Sequence, residues 1–171
     1  ERYCISCDYG TVNPSSFGLW GRRDEIWYRI DEYYHDSRKL GVQKTDEEHY
    51  AALEELAGDL NISEITVDPS AASFIECIRR HGRFKVVPAR NDVLDGIRRV
   101  SEALKAGTLK ICSPCVNTIR EFSLYRWEDN CAKDTPRKVN DHAMDDLRYF
   151  VTTLMSQGDC GFFAIAQERN D

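Results

Sequence analysis

The stretch RYCISCD at residues 2–8, followed directly by YGTVNPSS at residues 9–16, decides the fold. Its first seven residues predict a β-strand that ends at Asp8, and the glycine, asparagine, proline and serines that follow predict a turn. Two further strands, Phe17–Trp20 and Glu25–Tyr34, are expected to form an antiparallel hairpin around residues 21–24. The chain therefore opens with three strands, and the first places an acidic side chain at its carboxyl end.

After this hairpin, helices and strands are predicted to alternate. Thr45 and Glu48 form a capping box that opens a helix, and a strand at residues 62–67 is stopped by Asp68 and Pro69. The remaining predicted elements are strands at 84–87 and 109–112 and helices at 71–81, 91–107, 116–127 and 139–154. This order predicts an α/β fold, with a mixed central sheet of an antiparallel N-terminal hairpin plus parallel strands, flanked by helices.

The composition is that of a folded domain without a membrane partner. Of 171 residues, 42% are apolar and 30% charged, which suits a single domain over residues 1–171. No apolar run approaches the roughly 18 residues of a membrane span, and the start lacks a signal-peptide pattern, so we expect a cytoplasmic protein. The net charge of −6 argues at first against nucleic acid. Divalent cations held by carboxylates would reverse that sign locally.

Seven cysteines without a secretory signal indicate reduced thiols. The pairs Cys4/Cys7 and Cys112/Cys115 have the spacing of the cysteine pairs in a zinc ribbon. However, residues three apart on a strand point to opposite faces, and the two pairs are far apart in sequence. Buried free thiols are therefore the preferred interpretation, and a zinc ribbon is the weaker alternative.

Three acidic residues occupy positions suited to chemistry. Asp8 and Asp68 each end a strand, and such residues line the ligand crevice of an open α/β sheet. Asp145 lies on the polar side of the last helix, with Asp141 one turn away and His142 nearby. Each of these residues alone is also explained as a turn, a cap or a solvated face. Their joint occurrence in this order favours a shared site.

The chemistry predicted for this site is metal-dependent hydrolysis. Mg²⁺ and Mn²⁺ prefer carboxylate oxygens, and two such ions about 4 Å apart can activate a water and stabilise the leaving oxygen of a phosphodiester. We predict Asp8, Asp68 and Asp145 as catalytic metal ligands, with Asp141 as an additional candidate. His142 is predicted to position or deprotonate the water, or to contact the metal.

The same segments resemble the nuclease domain of phage terminase large subunits. Residues 7–16, CDYGTVNPSS, are similar to its opening strand, and residues 67–71, VDPSA, to its second acidic motif. Residues 91–97 resemble the segment that leads into its central helix, and residues 141–149, DHAMDDLRY, its third acidic motif. The resemblance covers nearly the whole chain, in the correct order.

This resemblance implies a ribonuclease H-like fold and endonuclease action on concatemeric viral double-stranded DNA during packaging. It implies the terminase small subunit and the portal protein as partners, in the host cytoplasm. By position it implies Asp8, Asp68 and Asp145 as metal ligands with His142 beside them. Asp146 stands where the family usually has a small residue, so Asp146 is a further candidate ligand. Full-length family proteins also carry an ATPase motor, and the sequence has no Gly-rich phosphate loop for one.

Basic residues offer the DNA a path in two groups. The first group follows the second acidic motif and comprises Arg79, Arg80, Arg83, Lys85 and Arg90. The second group precedes the third motif and comprises Lys133, Arg137 and Lys138. Contacts to phosphate alone predict little sequence preference and an affinity that falls steeply with salt. A solvated face is the alternative interpretation for each of these residues.

Two other functions stay open at this point. One is a DNA-binding or portal-docking module without catalysis, which would need no metal. The other is a different ribonuclease H-like nuclease, such as a junction resolvase or a transposase-type nuclease. The Asp-Tyr-Gly and Asn-Pro of residues 8–14 favour the terminase interpretation over the latter, by resemblance only.

Overall fold

The computed structural model describes residues 2–128 and 135–156. Six strands form one sheet in the order β5-β4-β1-β2-β3-β6. The strands are β1 (Arg2–Asp8), β2 (Ser15–Arg23), β3 (Ile26–His35), β4 (Ile62–Val67), β5 (Val86–Pro88) and β6 (Leu109–Ile111). Strand β2 is antiparallel to β1 and β3, whereas β1–β4, β4–β5 and β3–β6 are parallel pairs. The predicted mixed sheet with an N-terminal antiparallel hairpin is confirmed.

Helices cover both faces of this sheet. They are α1 (Ser37–Leu40), α2 (Asp46–Ala57), α3 (Ala72–His81), α4 (Val93–Ala106), α5 (Val116–Leu124) and α6 (His142–Tyr149), and α6 continues into a π-helical segment, Phe150–Met155. Helices α2 and α3 share one core with the sheet, and α4, α6 and the π-helical segment share the other. Among the described residues, no helix combines the length and the apolar character that crossing a membrane requires.

Alternation along β1 divides its side chains between these two cores. Ile5 and Cys7 belong to the core of α2 and α3, and Cys4 belongs to the core of α6. Because side chains alternate along a strand, Ser6 and Asp8 share the face of Cys4. Cys4 and Cys7 therefore cannot hold one ion, and the cysteines in the described part of the chain are free thiols. This placement removes the zinc-ribbon alternative.

Helix α6 lies along β1 in matching register. Nδ1 of His142 is 2.9 Å from Oδ2 of Asp8, and the hydroxyl of Ser6 donates to Oδ1 of Asp146. Four residues of helix rise about 6 Å, and two residues of strand about 6.6 Å. Four residues of α6 therefore cover nearly the same distance as two residues of β1. Once Asp146 contacts Ser6, His142 is placed to contact Asp8.

The Asp146 contact belongs to a buried charged network. The side chains of Asp146 and of Arg29 on β3 are both 0% exposed, and Nη2 of Arg29 donates to Oδ2 of Asp146 at 2.6 Å. The hydroxyl of Ser16 donates to the same oxygen at 3.0 Å. Burial raises the pKa of Asp146 to about 6, and the charge of Arg29 opposes the rise. Gly18 leaves room for Arg29, since a Cβ there would lie 2.1 Å from Nη1. The network ties α6 to three strands.

The hairpin turn differs from the prediction. Asp24 and Glu25, with φ of 51° and 63°, form the turn, whereas residues 21–23 belong to β2. Gly21 serves close packing instead, because a Cβ there would lie 2.6 Å from Cδ1 of Ile30. The prediction was wrong because glycine is a general signal for a turn, and here Gly21 serves packing within β2.

The helix boundaries are mostly as predicted. The capping box of Thr45 and Glu48 is confirmed, as are the helix ends at Gly82 and Gly107. Helix α4 is capped by Asp92 and not by the asparagine before it. The last helix begins at His142 and not at residue 139, and the single turn α1 was not predicted.

Removing the Asp146 carboxylate would leave the Arg29 charge buried without its main partner. We expect Asp146→Leu to lower the free energy of unfolding by about 3–5 kcal/mol, measured by urea denaturation. The double variant Arg29→Met, Asp146→Leu should regain most of this loss, because the other acidic partner of Arg29, Glu32, still accepts hydrogen bonds from Asn117 and Thr118. A double variant no more stable than the single one would contradict the pairing.

His49 of α2 is fully buried, and Tyr33 contacts its Nδ1 at 3.2 Å. Burial, and then the positive charges of His35 and Lys44, lower the pKa of His49 to about 4. An unfolded histidine titrates near 6.5. Protonation therefore favours the unfolded chain, and stability is lost as the pH falls from 6.5 towards 4.

We expect this effect to cost roughly 2 kcal/mol of stability at about pH 5. The variant His49→Phe cannot titrate, so its melting temperature should fall less than that of the native chain between about pH 7.5 and pH 5. Equal falls in the two proteins would show that His49 does not contribute to the pH dependence.

Candidate active site

The carboxyl ends of β1 and β4 open into a cleft of about 540 Å³. Asp8 at the end of β1 and Asp68 just after β4 reach the same edge because these strands are parallel neighbours. Helix α6 adds His142 and Asp145. All four residues predicted to be catalytic line this carboxylate cleft.

Negative charge is crowded around Asp8. Burial raises the pKa of Asp8 to about 7; the hydrogen bond with His142 opposes the rise, and the charge of Asp145 adds to it. Burial alone would lower the pKa of His142. The hydrogen bond and charge of Asp8, followed by the charges of Asp141 and Glu121, outweigh burial and raise it. The carboxylates therefore repel one another, and a cation in the cleft would relieve this repulsion.

Asp68 and Asp145 are oriented by the last two residues of α6. The hydroxyl of Tyr149 donates to Oδ2 of Asp68 at 2.6 Å, and Nη2 of Arg148 donates to Oδ1 of Asp145 at 2.5 Å. Burial alone raises the pKa of Asp68, but the hydrogen bonds from Tyr149 and Ser70 outweigh it and lower the pKa. Sequence reasoning assigned no role to Arg148 and Tyr149, although their i+3 and i+4 spacing from Asp145 places them on its side of the helix.

A buried carboxylate from α5 fixes the start of α6. Asp141, at the N-cap position, makes no side-chain capping bond. Instead, Oε2 of Glu121 accepts the backbone N–H of Ala143 at 2.7 Å, and its Oε1 accepts the Tyr34 hydroxyl at 2.6 Å. Negative charge is favourable at a helix N-terminus, so Glu121 acts as the cap next to His142. The sequence pattern missed it because this cap comes from another helix, 22 residues earlier.

The donor chemistry of the carboxylate cleft fits hard divalent cations, which prefer carboxylate oxygens. In the part of the chain that the structure describes, the acidic and histidine groups of the cleft do not bring three ligand atoms within 4.8 Å of one another. The carboxylates thus line the walls of an open cleft and do not close around a single ion. The pKa of Asp8 is raised first by burial, and the negative charge of Asp145 adds to the rise.

The two additional candidate ligands are placed differently. Asp141 lines the cleft, with Nζ of Lys138 3.7 Å from its Oδ2. Asp146 faces the core, where both of its oxygens accept hydrogen bonds from Arg29 and the two serines. Consecutive helical residues point about 100° apart, so the cleft can be reached from position 145 and not from 146. This placement argues against Asp146 as a ligand.

Of the predicted DNA-contacting residues that precede the third motif, Lys138 lies at the cleft. Lys138 lines the cleft, and its Nζ is 3.5 Å from Oδ2 of Asp145. Arg137 is exposed, with Nε 3.9 Å from a carboxylate oxygen of Glu128. Lys133 lies outside the described residues.

Of the first group, Arg90 is exposed and directly precedes Asn91, which lines the cleft. Arg79, Arg80, Arg83 and Lys85 lie away from the cleft. Helix α3 starts after Asp68 and runs ten residues, about 15 Å, so Arg79 and Arg80 in its last turn are carried away from the cleft. Arg80, Arg83 and Lys85 pair with acidic side chains of α2 and β4. Sequence reasoning missed Arg38, an exposed residue of α1 that lines the cleft.

The chain resembles terminase large subunits in sequence. It is 26% identical over 133 residues to the terminase large subunit of Escherichia phage T5, which covers 74% of this chain and 30% of that protein. The large terminase of a thermophilic bacteriophage, solved in complex with ADP, is 46% identical, with a TM-score of 0.88 over 91% of this chain and 40% of that one. This chain therefore spans less than half the length of either relative. No protein-family model matches it.

Two solved nuclease domains of large terminases share the fold at lower identity. That of bacteriophage SPP1 with bound Mn is 20% identical, with a TM-score of 0.56 over 87% of this chain and 84% of that one. That of thermophilic phage G20c with bound magnesium is 14% identical, with a TM-score of 0.66 over 89% of this chain and 81% of that one. The expected ribonuclease H-like α/β fold is confirmed. Sequence and fold together confirm the resemblance to the nuclease domain of phage terminase large subunits.

Proposed function

We propose that this chain is a divalent-metal-dependent endonuclease that cleaves concatemeric viral double-stranded DNA during genome packaging. The observation that carries the proposal is the convergence of Asp8, Asp68, Asp145 and His142 on one cleft. Similarity to terminase large subunits supports the role in packaging, and implies the small subunit and the portal as partners. The Mn and magnesium bound by the SPP1 and G20c nuclease domains support the choice of cation.

Asp8, Asp68 and Asp145 would hold two Mg²⁺ or Mn²⁺ ions, and Asp141 offers a further oxygen nearby. Such a pair supplies an activated water and stabilises the leaving oxygen of a phosphodiester. Burial and hydrogen bonding fix the directions of the carboxylates before substrate arrives, which is the preorganisation that catalysis needs.

His142 handles a proton in this proposal. Its Nδ1 is engaged by Asp8, so Nε2 is the ring nitrogen that can exchange a proton with a water in the cleft. Nε2 lies 4.0 Å from Oδ1 of Asp141, beyond hydrogen-bonding distance. Asp8 orients the ring from one side, and Glu121 holds the start of the helix from the other.

Lys138 and Arg38 provide phosphate contacts at the rim. Both side chains are exposed and line the cleft. Cations of this kind position a duplex through its backbone without reading its sequence. The net charge of −6 does not oppose this, since bound divalent ions reverse the sign of the potential at the carboxylates.

The nuclease proposal is tested by incubating supercoiled plasmid with the chain in Mn²⁺, in Mg²⁺ and in EDTA. We expect nicking or linearisation with either metal and none in EDTA. Asp8→Asn and Asp145→Asn should each lower the rate at least about 100-fold, because each removes a ligand charge. Asp59→Asn, at an exposed position after α2, is the matched control and should cleave normally.

Unchanged cleavage by the Asp8 and Asp145 variants would remove these residues from the mechanism. No cleavage by the unmodified chain with any metal would contradict the endonuclease and favour a docking module. A strong preference for branched junctions over plasmid would favour another ribonuclease H-like nuclease.

The DNA path is tested by comparing Lys138→Gln with Lys85→Gln. Lys85 pairs with Glu64, away from the cleft. We expect only Lys138→Gln to weaken binding of a short duplex, and to reduce the slope of log K against log salt by about 0.9. Fluorescence anisotropy with Ca²⁺ in place of Mg²⁺ measures both. Equal slopes in the two variants would exclude Lys138 from the path.

A further inference from the structure

We propose a second metal site, separate from the carboxylate cleft, in which Glu47, Cys77 and His81 bind one zinc ion. The sulfur of Cys77, a ring nitrogen of His81 and a carboxylate oxygen of Glu47 all lie within 4.8 Å of one another. Zinc sites in proteins use these three donor types at about 2.0–2.3 Å from the ion, so small movements of the side chains would close the site.

The backbone brings the three donors together from two helices. Cys77 and His81 are one turn apart on α3, and therefore share a face of that helix. Glu47 lies in the first turn of the neighbouring helix α2. Cys77 is buried, while Glu47 and His81 are exposed. The sulfur thus forms the floor of the site, and a water can complete a tetrahedral set from the solvent side.

Neighbouring side chains already orient two of the donors. Nη2 of Arg80 donates to Oε1 of Glu47 at 2.9 Å, which leaves Oε2 for the site. Nε2 of His81 is 2.7 Å from that Oε2, and the ring of His81 stacks on Tyr50 at 3.8 Å and 5°. Such outer contacts fix metal ligands in direction. On metal binding, the hydrogen bond between Glu47 and His81 would be exchanged for two bonds to the ion.

The donor set distinguishes this site from the carboxylate cleft. Thiolate and imidazole favour zinc over Mg²⁺ or Mn²⁺, whereas a set of carboxylates alone also suits Mg²⁺ and Mn²⁺. One thiolate and one carboxylate balance the two charges of the ion. The two sites lie near opposite ends of α3, and this inference does not depend on the nuclease proposal.

A zinc ion here would join α2 to α3 behind the cleft. Asp46, next to Glu47, accepts a hydrogen bond from the hydroxyl of Tyr9. Tyr9 follows Asp8 and stacks on Phe74 of α3 at 4.6 Å and 7°. The helices that the ion would join therefore support the end of β1, and zinc should stabilise this part of the fold.

The test uses the whole chain, stripped of metal and titrated with Co²⁺ as a spectroscopic probe. We expect a thiolate-to-cobalt charge-transfer absorption that saturates at one thiolate-bound Co²⁺ per chain and is displaced by Zn²⁺ but not by Mg²⁺. We also expect a higher melting temperature with Zn²⁺. Cys77→Ser should abolish the absorption. His81→Gln and Glu47→Gln, at exposed positions that leave folding intact, should weaken Zn²⁺ binding at least about tenfold.

Cys112→Ser and Asp145→Asn are the matched controls, and both should keep the full absorption. The proposal is overturned if no charge-transfer absorption develops, or if it persists in a folded Cys77→Ser variant. Loss of the absorption in Cys112→Ser would likewise overturn it, by assigning the thiolate to another cysteine. Unchanged Zn²⁺ affinity in both His81→Gln and Glu47→Gln would do the same. Loss of plasmid cleavage alone bears only on the carboxylate cleft.

Discussion

The alignment of α6 against β1 is the constraint on which the carboxylate cleft depends. Ser6 and Asp8, two residues apart on the strand, meet Asp146 and His142, four residues apart on the helix. A slip of α6 by one residue would turn its side chains by about 100°. Asp145 would then leave the cleft, and Asp146 would lose Arg29. Arg29 and Asp146 both have no solvent contact. Such a slip would leave two buried charges without partners, which would destabilise the fold. The ion pair thus selects one register.

Asp145 and Asp146 are neighbours on α6, but their charges are balanced in different ways. Asp146 is balanced within the protein by Arg29 and by serine hydroxyls. Asp145 lines the cleft, where it pairs with Arg148 at 2.5 Å and lies 3.5 Å from the exposed Lys138, yet its charge still adds to the raised pKa of Asp8. The buried charges of the core therefore balance one another, whereas the cleft keeps negative charge that a bound cation can balance. A cation site requires rigid walls, and it requires carboxylate oxygens whose mutual repulsion a bound cation relieves.

The sequence was most informative where local rules determine the structure. Strand ends placed Asp8 and Asp68 at one edge because parallel neighbours end together. Helical periodicity put Asp145 on a polar face, and the family resemblance singled it out. The capping box at Thr45 and the helix ends at glycines follow from backbone hydrogen bonding alone.

What the sequence could not give depends on contacts between distant segments. Arg29 and Glu121 hold α6 from β3 and from α5, and no periodicity links them to it. Arg79 and Arg80 follow Asp68 closely along the chain, yet helix α3 leads away from the cleft. The turn at Asp24 and Glu25 uses positive φ at two residues other than glycine, which is uncommon, so the prediction placed the turn at the nearby glycine.

The most direct test of this account is a crystal structure of the chain soaked in Mn²⁺, with anomalous scattering recorded at the manganese edge. We predict anomalous peaks inside the carboxylate cleft, within bonding distance of oxygens of Asp8, Asp68 and Asp145, with Asp146 still paired to Arg29. A cleft without manganese at saturating concentration, or manganese bound only elsewhere on the chain, would contradict it.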